Sequence, residues 1–377
     1  MDDSLLLHLS QWGLLASGPP RDVWSRLSAY ESSDLVRGLL NERHHRFPSS
    51  GKSLEVAAHM AQGRQYFEAA AGAAELTRPL LLYYGVLSLS RAIILCADVQ
   101  RREATLSEAH GLSCHGWGGE LAGGPSKLPD VKIAVTSGTF TELAVATKNI
   151  ERSLVFSHHR LRSSLVQEGT SQFGAAKDPV RISLREVLSR IPDLTDMFQV
   201  TFSTLSACHP AYVELYNDLQ ASYYVLPTKV GLPSTANLRQ AFQLHPQISI
   251  DPSDHYHTVG HVRGLYFYIN RETSPPEWPG SVLHVKNDGR TIPYLVEPLT
   301  GGINLSSLSL LFLVSFAMGM LVRYHPSQWA MLAGQGRGNA MLPLLSAAAR
   351  LIEHHFPELV LEEVEQTHPG ASTYQRT

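Results

Sequence analysis

The side chains with the clearest chemical potential lie toward the C-terminal end of the chain. In the run RLIEHH, four residues separate Arg350 from His355. On a helix both could lie near one face, where an arginine binds a scissile phosphate and a histidine moves a proton. The same run also reads as the polar face of an ordinary C-terminal helix. Just upstream, Gly334-Gln335-Gly336-Arg337-Gly338 precedes a helix expected from about Asn339. Exposed N–H groups at a helix start, with the Arg337 charge beside them, can hold an anion. A dinucleotide fingerprint would need a preceding strand and a third glycine where Asn339 stands, so the bland alternative is an interhelical loop.

Two more cations stand out because their surroundings are apolar. Arg91 is the only charge between Pro79 and Ala97, and Arg323 with Tyr324 closes the uncharged stretch Leu305 to Val322. A charge in such a place anchors a buried hydrogen-bond network or points into a polar cavity between helical regions. The candidate ligand-binding set is therefore Gly334, Gly336, Arg337, Arg323 and Arg91, and Arg350 with His355 is the candidate catalytic pair.

Other patterns carry less. Asp254, His255 and His257 with His261 could supply metal ligands, but the spacing specifies no fourth, and neither a metal nor a cofactor is expected. Ser50-Gly51-Lys52-Ser53 matches the end of a phosphate-binding loop. Arg46 stands where that motif needs its first glycine and no strand precedes it, so the segment reads as a helix cap. There is no Gly-x-Ser-x-Gly elbow, no His-Glu-x-x-His helix and no cysteine in a reactive-looking local motif.

These residues need elements to position them. The chain has 377 residues, 44% hydrophobic and 17% charged, with a net charge of −3, a composition that folds and that exerts no global attraction on nucleic acid or anionic lipid. Three distant cysteines, Cys96, Cys114 and Cys208, match no disulfide framework or zinc spacing, and the opening Met1-Asp2-Asp3 lacks the basic segment of an export signal, so a cytoplasmic location is expected. Leu305 to Val322 has the length of a membrane span. Four serines dilute it and no basic cluster flanks it, so it is expected to be a buried core helix with no membrane involved.

Helical periodicity covers Asp22 to Leu40, Ser53 to Ala71 and, started by Thr77-Arg78-Pro79, the run to Ala97. Thr139–Glu142 and Ser183–Glu186 are capping-box patterns. The polar stretch from Ser157 to Lys177 reads as a surface loop. Between about 221 and 300 the period falls to two, and Asn287-Asp288-Gly289 signals a hairpin. Helices return at 305–322 and about 339–356, with Pro326 and Pro357 as stops. The expected fold is mainly α with a small antiparallel β-sheet (α+β), the N- and C-terminal helical regions packed together. Its parts are an N-terminal helical region with a Gly-rich connection (1–150), a helical linker region (151–220), a sheet insertion (221–300) and a C-terminal helical region (301–377).

Several segments carry a family likeness: Gln65 to Ala70 (QYFEAA), Pro79 to Ala92 (PLLLYYGVLSLSRA), His110-Gly111, Gly319 to Pro326 (GMLVRYHP) with Trp329, and Phe356-Pro357. In these the chain resembles the YaaC-like proteins across most of its length, a likeness that implies a fold relative more than a reaction. Tyr83-Tyr84 followed by His110-Gly111 is also similar to the helical HEPN superfamily, whose members cut RNA with an Arg, four to six residues, then a His; Arg102 and His110 stand too far apart to fit. The functional expectation is a regulatory or interaction component that binds a partner protein or an anionic ligand (phosphate, nucleotide or RNA), in a bacterial defence or stress response and capable of homo-oligomerisation. The alternative is an HEPN-like ribonuclease or toxin using Arg350 and His355.

Overall fold

The computed structural model describes residues 23–157, 160–174, 179–217, 220–228, 231–257, 260–270, 280–287, 290–334 and 339–366. The chain begins with α1 (Val23–Leu27), α2 (Ser33–His44), α3 (Ser50–Ala71) and α4 (Arg78–Ala97). Then come β1 (His110–Ser113), α5 (Trp117–Glu120), β2 (Lys132–Gly138), α6 (Thr139–Thr147), β3 (Glu151–Ser157), β4 (Arg160–Gln167), β5 (Arg181–Ser183), α7 (Leu184–Leu188) and α8 (Thr195–Phe202). The sheet region continues with β6 (Cys208–Asn217), β7 (Gln220–Val225), α9 (Thr235–Ala241), β8 (Asp251–His257), β9 (Gly260–Asn270), β10 (Ser281–Asn287) and β11 (Arg290–Val296). The last elements are α10 (Ser307–Tyr324), α11 (Pro326–Ala333) and α12 (Leu342–Glu365). The fold is mainly helical with antiparallel sheets.

α4 and α10 are the apolar centre. Both are long and apolar enough to cross a membrane by composition, and 72% and 78% of their apolar windows are buried inside the protein. Every residue from Leu308 to Leu321 is buried, and one core joins these helices to Phe67 of α3, Phe140 of α6 and Phe356 of α12. The N- and C-terminal helical regions therefore share one core, held at its rim by ion pairs of Arg78 with Glu353 and Arg26 with Glu365. α3 and α4 approach closely because glycines face large side chains in both directions: a Cβ at Gly63 or at Gly85 would fall 2.6 Å from Leu89 or Phe67 respectively.

A three-stranded sheet, β1-β2-β5, covers this body and adds Leu112, Ile133 and Ile182 to its core. The larger sheet runs β10-β11-β6-β7-β9-β8. One edge of β6 is shared: Cys208, His209 and Pro210 pair antiparallel with β11, while Glu214 and Leu215 pair parallel with β3, which continues to β4. Alternate residues Ala211, Val213 and Leu215 point to a second core beneath Leu238 and Phe242 of the α9 segment. The Asn287-Asp288-Gly289 signal is matched by a hairpin whose strands close at Asn287 opposite Arg290.

The structure departs from the sequence expectations in places. The stretch 151–220, expected to be a helical linker, holds α7 and α8 but also β3, β4, β5 and β6, so the sheet draws strands from well before residue 221. The expected loop from Ser157 to Lys177 contains β4. Its polar composition hides burial at Gln167, whose side chain accepts from the Val282 N–H at 2.7 Å, while Ser153 of the neighbouring β3 donates to the Val282 carbonyl. Pro357 does not stop α12, which carries its buried face on through Val360, Leu361 and Val364, so tertiary burial outweighs one missing backbone donor. The capping box at Ser183 and Glu186 forms as expected. At α6 the cap moves: the Gly138 N–H donates to Thr141, and Glu142 instead pairs with Arg101.

Candidate functional site

α4 delivers three side chains to one locus. Tyr83 is fully buried, its ring meeting His110 edge-on at 5.5 Å and Phe316 at 5.7 Å between centroids. Gly319, one turn beyond Phe316, makes the space: a Cβ there would lie 2.8 Å from Tyr83 Cβ. Tyr84 and Arg91, seven residues apart, share a helix face. The Tyr84 hydroxyl accepts from Arg323 Nη1 at 3.2 Å, and Arg91 Nη2 donates to the Ser107 carbonyl at 3.1 Å. Arg323, at the exposed end of α10, also lies over the Tyr324 ring, its Cζ 5.0 Å from the centroid. His110 comes from the first residue of β1.

The electrostatics of this locus are one-sided. Burial, then the charges of Arg323 and Arg91, hold His110 below the ordinary imidazole range, so it is neutral near pH 7. Burial raises the Tyr83 phenol despite both arginines, keeping it protonated. Three polar atoms here are buried with no hydrogen-bond partner among the described residues: Tyr83 Oη, His110 Nδ1 and Arg91 Nε. Each such atom costs about 1–3 kcal/mol, and buried polar groups are nearly always paired. Two guanidinium forks, a phenol O–H and an imidazole are together suited to an oxyanion such as phosphate.

Arg91 also acts on a second buried histidine. His59 of α3 is held down chiefly by burial, with Glu103 opposing and Arg91 assisting; its Nε2 lies 3.3 Å from Glu103 Oε1. Nearby Lys52 is 1% exposed, donates to the Arg101 carbonyl and is pushed down to about 8 by burial. Ser49 caps this helix start, accepting from the Lys52 N–H at 3.2 Å, so the Ser50–Ser53 segment is the helix cap its sequence suggests. Arg102 is held at the surface by Glu55, Nη2 to Oε1 2.6 Å.

The sequence candidates divide. Arg91 and Arg323 are brought to one locus, acting together on His110 and Tyr83. Gly334 ends α11, its N–H donating to the Ala330 carbonyl at 2.8 Å; Gly336 and Arg337 lie outside the described residues. Arg350 and His355 are both on α12, where five residues turn the helix by about 140°. Arg350 is exposed, while His355 lines a small cleft of about 50 Å³ with Arg152, His284, Glu358 and Glu362 over a floor of leucines. His255, His257 and His261 lie on paired strands, Tyr256 opposite His261, but their side chains are outside the described set. Cys96 and Cys208 are buried free thiols, and burial raises Cys96 to about 11, leaving it poorly reactive.

Reading candidates one by one missed that Tyr83, Tyr84 and His110 belong with Arg91 and Arg323. Their signal was present in the segments that carry the family likeness, since the Pro79–Ala92, His110-Gly111 and Gly319–Pro326 runs all converge here. No curated protein and no solved structure matches the chain. A family model does, described as YaaC-like protein and matching residues 28–364, and the chain belongs to that YaaC-like family.

Proposed function

We propose that this chain is a binding protein, a cytoplasmic regulatory or interaction component that takes an anionic, phosphate-bearing ligand at the Tyr83–Arg91–His110–Arg323 cluster. The observation that carries this reading is the coincidence of two arginines with three buried polar atoms that no described residue partners. The free cysteines and the burial of both apolar helices support a reducing, aqueous compartment. The ribonuclease reading has less behind it, because Arg350 faces solvent while His355 faces the cleft beside the sheet.

Thermal unfolding with phosphate, pyrophosphate or sulfate tests the proposal. A ligand that binds only the folded protein stabilises it by about 2.7 kcal/mol at a hundred times its Kd, so the wild-type Tm should rise. Arg91→Met should remove the shift, and Arg337→Ala should keep it; loss in Arg337→Ala alone would move the site to the Gly334–Gly338 loop. No shift with any of the three anions rejects the reading.

A further inference from the structure

The anion locus does not end at the buried atoms. Arg323 bridges it to the surface, with one guanidinium N–H on the Tyr84 hydroxyl and its Cζ over the Tyr324 ring. Tyr324 is 54% exposed, one of few exposed aromatic rings among the described residues. Tyr66 of α3 packs beside Tyr84 at 5.6 Å between centroids, and both rings are half-buried. An inner cluster of anion donors is thus flanked by an outer rim of tyrosine rings and the Arg323 guanidinium.

Resting on the anion reading above, we infer that the occupant is a mononucleotide, its phosphate held by Arg91, His110 and Tyr83 and its base stacked on the Arg323–Tyr324 rim. A π-face is what this rim recognises, since rings and guanidinium planes stack on any base; a sugar phosphate or a bare oxyanion would leave it unused. A single nucleotide suits the charge distribution better than a polymer. The chain carries a net charge of −3, and a polyanion needs a basic track to neutralise successive phosphates; the cationic groups here are two arginines acting on one histidine.

Isothermal titration with AMP, ribose 5-phosphate and inorganic phosphate tests this on the full chain. Wild type should bind AMP about tenfold or more tightly than ribose 5-phosphate, the gain expected of one stacked base. Tyr324→Ala should erase that gap while leaving ribose 5-phosphate and phosphate binding unchanged, and Tyr324→Phe, which keeps the ring, should preserve it. Equal affinity for AMP and ribose 5-phosphate in wild type, or a gap that survives Tyr324→Ala, overturns the inference and leaves the anion site standing. An oligoribonucleotide that binds tenfold more tightly than AMP overturns the single-nucleotide assignment. Failure of all three probes to bind rejects the anion site and this inference together.

Discussion

The sheet and the helical body each bury a cluster of tyrosines, and the two clusters treat their hydroxyls differently. In the sheet, fully buried Ser222 on β7 meets the hydroxyls of Tyr216 at 3.2 Å and Tyr266 at 3.4 Å. The rings of Tyr212, Tyr224 and Tyr266 pack in series at 5.4 and 5.0 Å, so around Ser222 the sheet supplies partners for its hydroxyls, whereas the Ser253 hydroxyl on β8 is buried with no hydrogen-bond partner among the described residues. In the helical body, Tyr83 and His110 pack as closely at 5.5 Å, but they and Arg91 leave one polar atom each without a partner among the described residues. A closed network of this kind adds rigidity and specifies one core. An open one costs stability until something completes it, a loss proteins accept at sites of function.

The contrast can be broken experimentally. The largest effect should come from Gly319→Ala, whose added methyl would strike Tyr83 at the α4–α10 contact. Overpacking of this kind costs about 1–3 kcal/mol, read by urea denaturation, and it should also weaken sulfate binding by displacing the Tyr83 ring. A wild-type denaturation midpoint with unaltered sulfate affinity would show that the helices yield freely here.

Paired substitutions should then separate the clusters. Ser222→Ala removes a satisfied hydroxyl and should cost about 1 kcal/mol without affecting anion binding. Tyr83→Phe removes an unsatisfied one, so the anion-free protein should be as stable as wild type or more so, while the anion-induced Tm shift falls. If Tyr83→Phe destabilises the protein as Ser222→Ala does, the helical cluster is closed in the same sense as the sheet's.

The smallest effect concerns pH. His110 is held below its ordinary value of 6.5 in the folded chain, so the unfolded chain binds more protons and stability contributed by His110 falls as pH drops through about 6.5. A bound anion reverses the preference by stabilising the imidazolium. Sulfate, whose charge stays constant over this range, should therefore bind several-fold more tightly at about pH 5.5 than at about pH 8, and the dependence should vanish in His110→Gln. A flat profile in wild type would place the anion away from His110.

What the sequence alone determined was local. The uncharged run ending at Val322 requires a helix buried on all sides, Ser183 with Glu186 caps α7, and the Asn287-Asp288-Gly289 signal falls where β10 and β11 pair as a hairpin, because each signal lies within a few residues of the structure it specifies. Pattern failed at β4 and at Pro357, where partners distant in sequence decided the outcome: Gln167 is bonded to a strand 115 positions away, and α12 continues past its proline to keep Val360 and Val364 in the core. The site lies at the far end of that scale. Arg91 and Arg323 were each conspicuous as charges in apolar runs, yet nothing local joins Arg323 to Tyr84, 239 positions earlier. Only the packing of α4 against α10, close enough at Gly319 to seat the Tyr83 ring, brings two arginines and a histidine to one locus around a buried tyrosine. Periodicity encodes which face of an element is buried; which faces meet, and what they leave unpaired, is decided by how the whole core closes.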